Sequence, residues 1–172
     1  MGLSAASGMG WPRYLLWLAL AALLVMLDLW TKHLATQTLE LYRPRVVTDW
    51  LNLTLAHNDG AAFSFLAGAG GWQRWFFTVV AVLVSAVLLV WLKTLPNRAR
   101  LLPVSLALVL GGALGNMIDR IRLGYVVDFI DVHYQGWHWP AFNVADSAIV
   151  LGVILLLIEG FIPRKVSVQD PS

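Results

Sequence analysis

Apolar residues along this chain fall into four long blocks separated by polar, turn-rich stretches. The first runs from Trp11 to about His33 and contains the run LLWLALAALLVMLDLWTKH. The second covers about Trp72 to Leu92, the third Leu101 to Arg120 and the fourth Val144 to Ile162. A helix needs about 20 apolar residues to cross the hydrocarbon of a bilayer. The blocks therefore predict membrane spans over about 12–33, 72–92, 101–120 and 144–162. Pro96 breaks the chain after the second block, and Pro103 sits in the first turn of the third, where a missing N–H is harmless. Asn143 is a natural N-cap for the fourth. The first block is too long for a signal-peptide core and lacks a clean small-residue cleavage site, so it is expected to stay in the protein.

Between the blocks the period changes. Residues 34–71 are too many for a structureless loop in a compact domain. Within them Leu51, Leu53 and Leu55 alternate with Asn52, Thr54 and Ala56, a strand signal. Asn58-Asp59-Gly60 reads as a turn, with Ala61 to Leu66 as the returning strand. A hairpin or platform at the membrane surface is expected, with Trp50 as an anchor. In residues 121–143 a second alternation, Val126, Asp128, Ile130 and Val132 against Val127, Phe129, Asp131 and His133, predicts another strand, and Gln135-Gly136 a turn. Residues Met1 to Gly10 and the end after Lys165 read as polar tails. The expected architecture is a membrane all-α bundle of four helices with a small β platform, one domain over residues 1–172.

Composition agrees with that reading. The 172 residues are 59% hydrophobic and 13% charged, against about 25% charged in soluble domains. A net charge of +2, scattered along the chain, gives no footprint for nucleic acid. The absence of cysteine excludes disulfides, a thiol nucleophile and a thiolate metal site. The nine Trp suit a membrane–water interface.

Four spans put both termini on one side. Arg13, Lys93, Arg98, Arg100, Arg164 and Lys165 lie there, in short flanks with few acids. Lys32, Arg43, Arg45, Arg74, Arg120 and Arg122 lie on the other. Basic residues in short flanks favour the cytoplasm. Both termini are therefore expected in the cytoplasm, and segments 34–71 and 121–143 outside it.

The candidate chemistry lies between the last two spans. Asp119, Asp128, Asp131 and Asp146 sit at a membrane edge, where acids are costly and a functional site is the default hypothesis. Gly112, Asn116 and Asp119 share one helix face, with Arg120 four after Asn116. Two converging carboxylates share one proton. One can then activate water while the other donates a proton to a carbonyl oxygen or leaving amine. Asp128 and Asp146 could form such a pair, with Asp119 and Asp131 competing for the roles. Read blandly, Asp146 completes a helix cap and Asp128 is a solvated loop acid. Asp28 and Lys32, four apart on one helix face, read as an ion pair or as a brace for the site. A Zn²⁺ site would use His133 and His138 with Asp128 or Asp131, but no HExxH helix is present. Ser64 and Ser147 lack a base and a GxSxG elbow.

Five stretches then resemble one family, lipoprotein signal peptidase (signal peptidase II). They are Asp28-Leu-Trp-Thr-Lys32, Asn58-Asp-Gly-Ala-Ala-Phe-Ser64, Gly115-Asn-Met-Ile-Asp-Arg120, Val126-Val-Asp-Phe-Ile130 and Phe142-Asn-Val-Ala-Asp-Ser147. They fall in the family's order and cover nearly the whole chain. The resemblance implies an aspartyl endopeptidase of the bacterial inner membrane, its site at the periplasmic face; that chemistry needs no cofactor or metal, and a monomer is expected because the Gly-rich helix face is satisfied within one bundle. Its substrates would be diacylglyceryl-modified prolipoproteins in the phospholipid bilayer, cut on the N-terminal side of the lipidated cysteine. Globomycin-type inhibitors would block it. By motif, Asp128 and Asp146 match the catalytic carboxylates. Asn58, Gly60, Asn116, Asp119, Arg120 and Asn143 match site-shaping positions, and Asp28 and Lys32 supporting ones. The family's extracytoplasmic cradle fits the strand signal between the first two spans. Asp131 is an extra acid beside the motif and reads as a bystander. The alternatives are a small proton-coupled transporter and a non-enzymatic lipoprotein-binding scaffold. Transporter sites lie near the midplane between repeats, whereas these acids cluster at one edge and the halves show no repeat.

Overall fold

A computed structural model describes residues 8–60 and 70–162. In chain order the elements are α1 (Trp11–Thr38), β1 (Arg45–Thr48), β2 (Leu51–Asn58), α2 (Trp72–Thr94), α3 (Leu101–Leu123), β3 (Val126–Tyr134), β4 (Trp137–His138) and α4 (Val144–Phe161). All four helices are long and apolar enough to cross a membrane, and they coincide with the four blocks. α1 continues past the expected end near His33. No Gly or Pro interrupts it there, and the Thr36 and Thr38 hydroxyls donate back to the His33 and Leu34 carbonyls. α3 ends where Gly124 takes φ +91° and its N–H donates to the Arg120 carbonyl, a left-handed stop that suits glycine.

α3 is the hub: α1, α2 and α4 each pack on it. Its buried face includes Leu106, Ala107, Leu110, Gly112, Asn116 and Asp119. The outer faces carry exposed Leu23, Leu83, Val87, Val90, Ile154 and Leu157, as expected where lipid is the solvent. Small residues set the spacing. A Cβ at Gly115 would sit 2.6 Å from Asp28 Oδ2, and one at Gly152 of α4 would sit 2.7 Å from Val109 Cγ2 of α3.

At the end of the helices far from the candidate acids, the chain entering α1 is tied to α2. Met9 is buried beside Leu92 and Leu95. Its N–H donates to the Lys93 carbonyl at 2.9 Å, and the Lys93 ammonium returns a bond to the Met9 carbonyl at 2.7 Å. The same ammonium lies 4.0 Å from the Trp11 ring centroid, a cation–π contact. Gly10 N–H donates to Asn97 Oδ1 and Arg13 to the Ala99 carbonyl.

At the other end the strands form one antiparallel sheet in the order β1-β2-β3-β4. Ala35 of α1 packs with Leu55, Val127 and Phe129 beneath it. The hairpin partner of β2 is β1, which precedes it; the expected return strand, Ala61 to Leu66, lies outside the described residues. Leu53 opposes Ile130 and Ala56 opposes Asp128, so Thr54 and Leu55 together face Phe129 alone. This β-bulge resets the alternation: Asn52 and Leu55 are buried, and Leu53 packs half-buried against the cluster that holds Leu55. The turn at Gln135-Gly136 has φ +48° and +82°, the two positive angles of a type I′ hairpin.

Candidate active site

The two-residue period of β3 puts Asp128 and Asp131 on opposite faces. Asp128 faces Asn58 on the neighbouring strand and Asn143 at the start of α4. Asn58 Nδ2 donates to Asp128 Oδ2 at 3.0 Å and Asn143 Nδ2 to Asp128 Oδ1 at 2.7 Å. Asn58 Oδ1 accepts the Gly60 N–H, which fixes its amide orientation.

Asp146 arrives by a different route. Asn143 is the N-cap of α4, and its side chain accepts the Asp146 N–H while Asp146 Oδ2 accepts the Asn143 N–H. This capping box holds the carboxylate of Asp146 in the first turn. Its other oxygen accepts Asn116 Nδ2 at 2.7 Å. The cap expected for Asp146 and its place beside Asp128 are therefore one arrangement, since Asn143 contacts both acids.

Behind the pair lies a buried charge network. Lys32 is 3% exposed. Its ammonium reaches Asp28 Oδ2 at 2.7 Å, Asp119 Oδ2 at 2.9 Å and Asn116 Oδ1 at 2.9 Å. Three donors and three acceptors satisfy the charge, the condition for tolerating it in a low dielectric. The bond to Asn116 Oδ1 turns its NH₂ toward Asp146. Asp28 Oδ1 accepts the Ala145 N–H at the start of α4, and Asp119 Oδ2 accepts the Val127 N–H of β3. Arg120 donates to the Gly60 carbonyl at 2.9 Å and lies over the Phe77 ring. All ten singled-out positions thus meet at one end of the bundle.

Burial with the Asp146 charge nearby pushes the Asp128 carboxyl up to about 7, against the bonds from Asn58 and Asn143, which act the other way. Both acids line a cavity of about 600 Å³, walled by Trp139, Pro140, Ala141 and Phe142 on one side. On α4 it continues along Ile149, Val150 and Ile154. Neither wall was singled out from the sequence. The spacing Asp146, Ile149/Val150, Ile154 follows one helix face and was the available signal. His133 and His138 do meet, but Asp128 is on the other face of β3, and among the described residues no three His, Asp or Glu converge as metal ligands.

Fold and site together define a polytopic membrane protein with a paired-carboxylate pocket at one end of its helices. The sequence matches the family described as "Signal peptidase (SPase) II" over residues 20–162. It is 58% identical to a lipoprotein signal peptidase of Acinetobacter baumannii over 155 residues, 90% of this chain and 88% of that one. A lipoprotein signal peptidase of Pseudomonas syringae is 54% identical over 153 residues, covering 88% of each chain. A solved bacterial membrane enzyme superposes with a TM-score of 0.75 at 31% identity, over 92% of this chain and 99% of that one. The chain belongs to the signal peptidase II family, multi-pass membrane peptidases of lipoprotein processing.

Proposed function

We propose that this protein removes the signal peptide from diacylglyceryl-modified prolipoproteins, cutting on the N-terminal side of the lipidated cysteine with Asp128 and Asp146 as its catalytic pair. The observation that carries this reading is their shared contact with Asn143 at the mouth of one apolar pocket.

One proton shared by the pair supplies an acid and a base at once. We assign the resting proton to Asp128, whose carboxyl lies at about 7. Asp146, held by Asn116 and the Asn143 N–H, takes a proton from water as its oxygen bonds to the scissile carbonyl carbon. Asp128 gives its proton to the carbonyl oxygen, forming a gem-diol. The C–N bond then breaks, the leaving nitrogen takes the proton held by Asp146, and Asp128 recovers one from a gem-diol hydroxyl. One water is consumed and the pair is restored.

The apolar trough along Ile149, Val150 and Ile154 suits a substrate still held in lipid. Both termini face the cytoplasm in this reading and the pocket opens at the extracytoplasmic face. Asn58, Gly60, Asn116, Asp119, Arg120 and Asn143 shape the site, with Asp28 and Lys32 bracing it. Globomycin-type inhibitors would occupy the same pocket, and the unit acts as a monomer without metal.

The test is cleavage of a purified diacylglyceryl-modified precursor in detergent with a chelator present. Wild type is expected to cut, and Asp128→Asn and Asp146→Asn to fold without cutting. Normal cleavage by either variant removes the pair from the chemistry. Loss of wild-type cleavage on chelation brings back a metal.

A further inference from the structure

Asp131, read from the sequence as a bystander, is 5% exposed. It lies on the face of β3 away from the catalytic pair, and three partners hold it. Its Oδ1 is 2.8 Å from His138 Nδ1 of β4. Its Oδ2 accepts the Thr54 hydroxyl at 2.8 Å and Asn52 Nδ2 at 3.4 Å, both from β2. Thr54 is available because the bulge adds a residue there. The Asp131 carboxylate thus joins β2, β3 and β4. Burial alone would raise this carboxyl; the bonds from His138, Thr54 and Asn52 outweigh it and hold it below the ordinary value. The ring of His133 stacks on that of His138, centroids 5.0 Å apart.

β4 is only two residues long, Trp137 and His138. The chain leaving it is the pocket wall, Trp139 to Phe142. Backbone bonds from Trp139 N–H to the Val132 carbonyl and from Phe142 N–H to the Ile130 carbonyl fasten that wall to β3. A two-residue strand at a sheet edge is a weak anchor. A bond to a buried carboxylate is a strong one.

We propose that Asp131 and His138 are positioning residues for substrate: their hydrogen bond pins β4 and, through it, the Trp139–Phe142 wall of the pocket. The proposal rests on the peptidase reading for its substrate, but the pin itself can be measured without one. His138 touches no reacting group; loosening the wall weakens substrate binding and leaves the acid pair, held by Asn58, Asn116 and Asn143, in place.

The experiment compares wild type, His138→Ala and His138→Asn, since the Asn amide can stand in for Nδ1–H. Hydrogen exchange by mass spectrometry follows peptides covering 135–142 and, as control, those covering α3 and α4. Cleavage kinetics use the diacylglyceryl-modified precursor. The Ala variant is expected to exchange faster in 135–142 alone and to raise KM about tenfold, the worth of one charge-assisted bond, with kcat within about twofold. The Asn variant is expected to recover both. Unchanged exchange, an unchanged KM, or an Asn variant as poor as Ala overturns the proposal. If wild type cuts no precursor, the peptidase reading fails and the exchange pattern alone decides the pin.

Discussion

Asp128→Asn is expected to abolish cleavage and yet protect the fold at alkaline pH. Asp128 is 2% exposed and its carboxyl is displaced from 3.8 to about 7. An unfolded chain releases that proton near 3.8, while the folded protein holds it to about 7. Between these values the folded state binds the extra proton, so raising the pH favours unfolding. At about 1.4 kcal/mol per pH unit the accumulated cost above pH 7 is about 4 kcal/mol. Asparagine has no charge to bury, so that cost disappears. It also has only one acceptor oxygen where Asn58 and Asn143 both donate. One bond is lost, at about 1–2 kcal/mol. The net gain at pH 8.5 is about 2–3 kcal/mol, turning to a small loss at pH 4.5. The assay is thermal unfolding in detergent, followed by tryptophan fluorescence from pH 4.5 to 8.5. Wild type should lose more Tm across the range than the variant does, the two curves crossing. Parallel curves would refute the reasoning, because they would mean that Asp128 ionises freely in the fold.

Three further outcomes follow from the same network. Lys32→Met should leave the Asp28 and Asp119 carboxylates buried without a counter-charge and cost about 3–5 kcal/mol, measured as a fall in Tm; double replacement with Asp28→Leu should recover part of it. Asn116→Ala removes the Asn116 donor to Asp146 and should lower kcat about 10–100-fold with KM nearly unchanged, read by steady-state cleavage. Wild-type kcat should decline as pH rises through about 7, where Asp128 loses its acid proton; a rate that keeps climbing to pH 9 would move the acid role elsewhere.

The helices were legible because lipid as solvent demands long unbroken apolar runs, and turn chemistry marked their ends. Asn143 was legible as a cap, and its hold on both acids followed from the same position. The alternation in β3 was legible too and put Asp128 and Asp131 on opposite faces, but parity alone did not say which face meets α4. Other features were hidden for physical reasons. A bulge leaves no mark in an alternating run, so the strand signal of β2 did not show that Asn52 is buried. β1 is four residues, with exposed Val46 and Val47, and carries no periodic signal of its own. Two of the three partners of Asp131 are 77 and 79 residues away, at Thr54 and Asn52, and no local pattern reaches that far.

The tie between Met9 and Lys93 has a mechanical meaning. It fastens α1 to α2 at the end away from the pocket. Near the pocket, α2 is secured to α3 by a bond from Arg74 to the Ile121 carbonyl. A rod of 23 residues is about 35 Å long. α2 is therefore held at both ends, by the Met9–Lys93 tie at one and by Arg74 at the other, and Phe77, the ring under Arg120, is carried on a helix that is braced along its length.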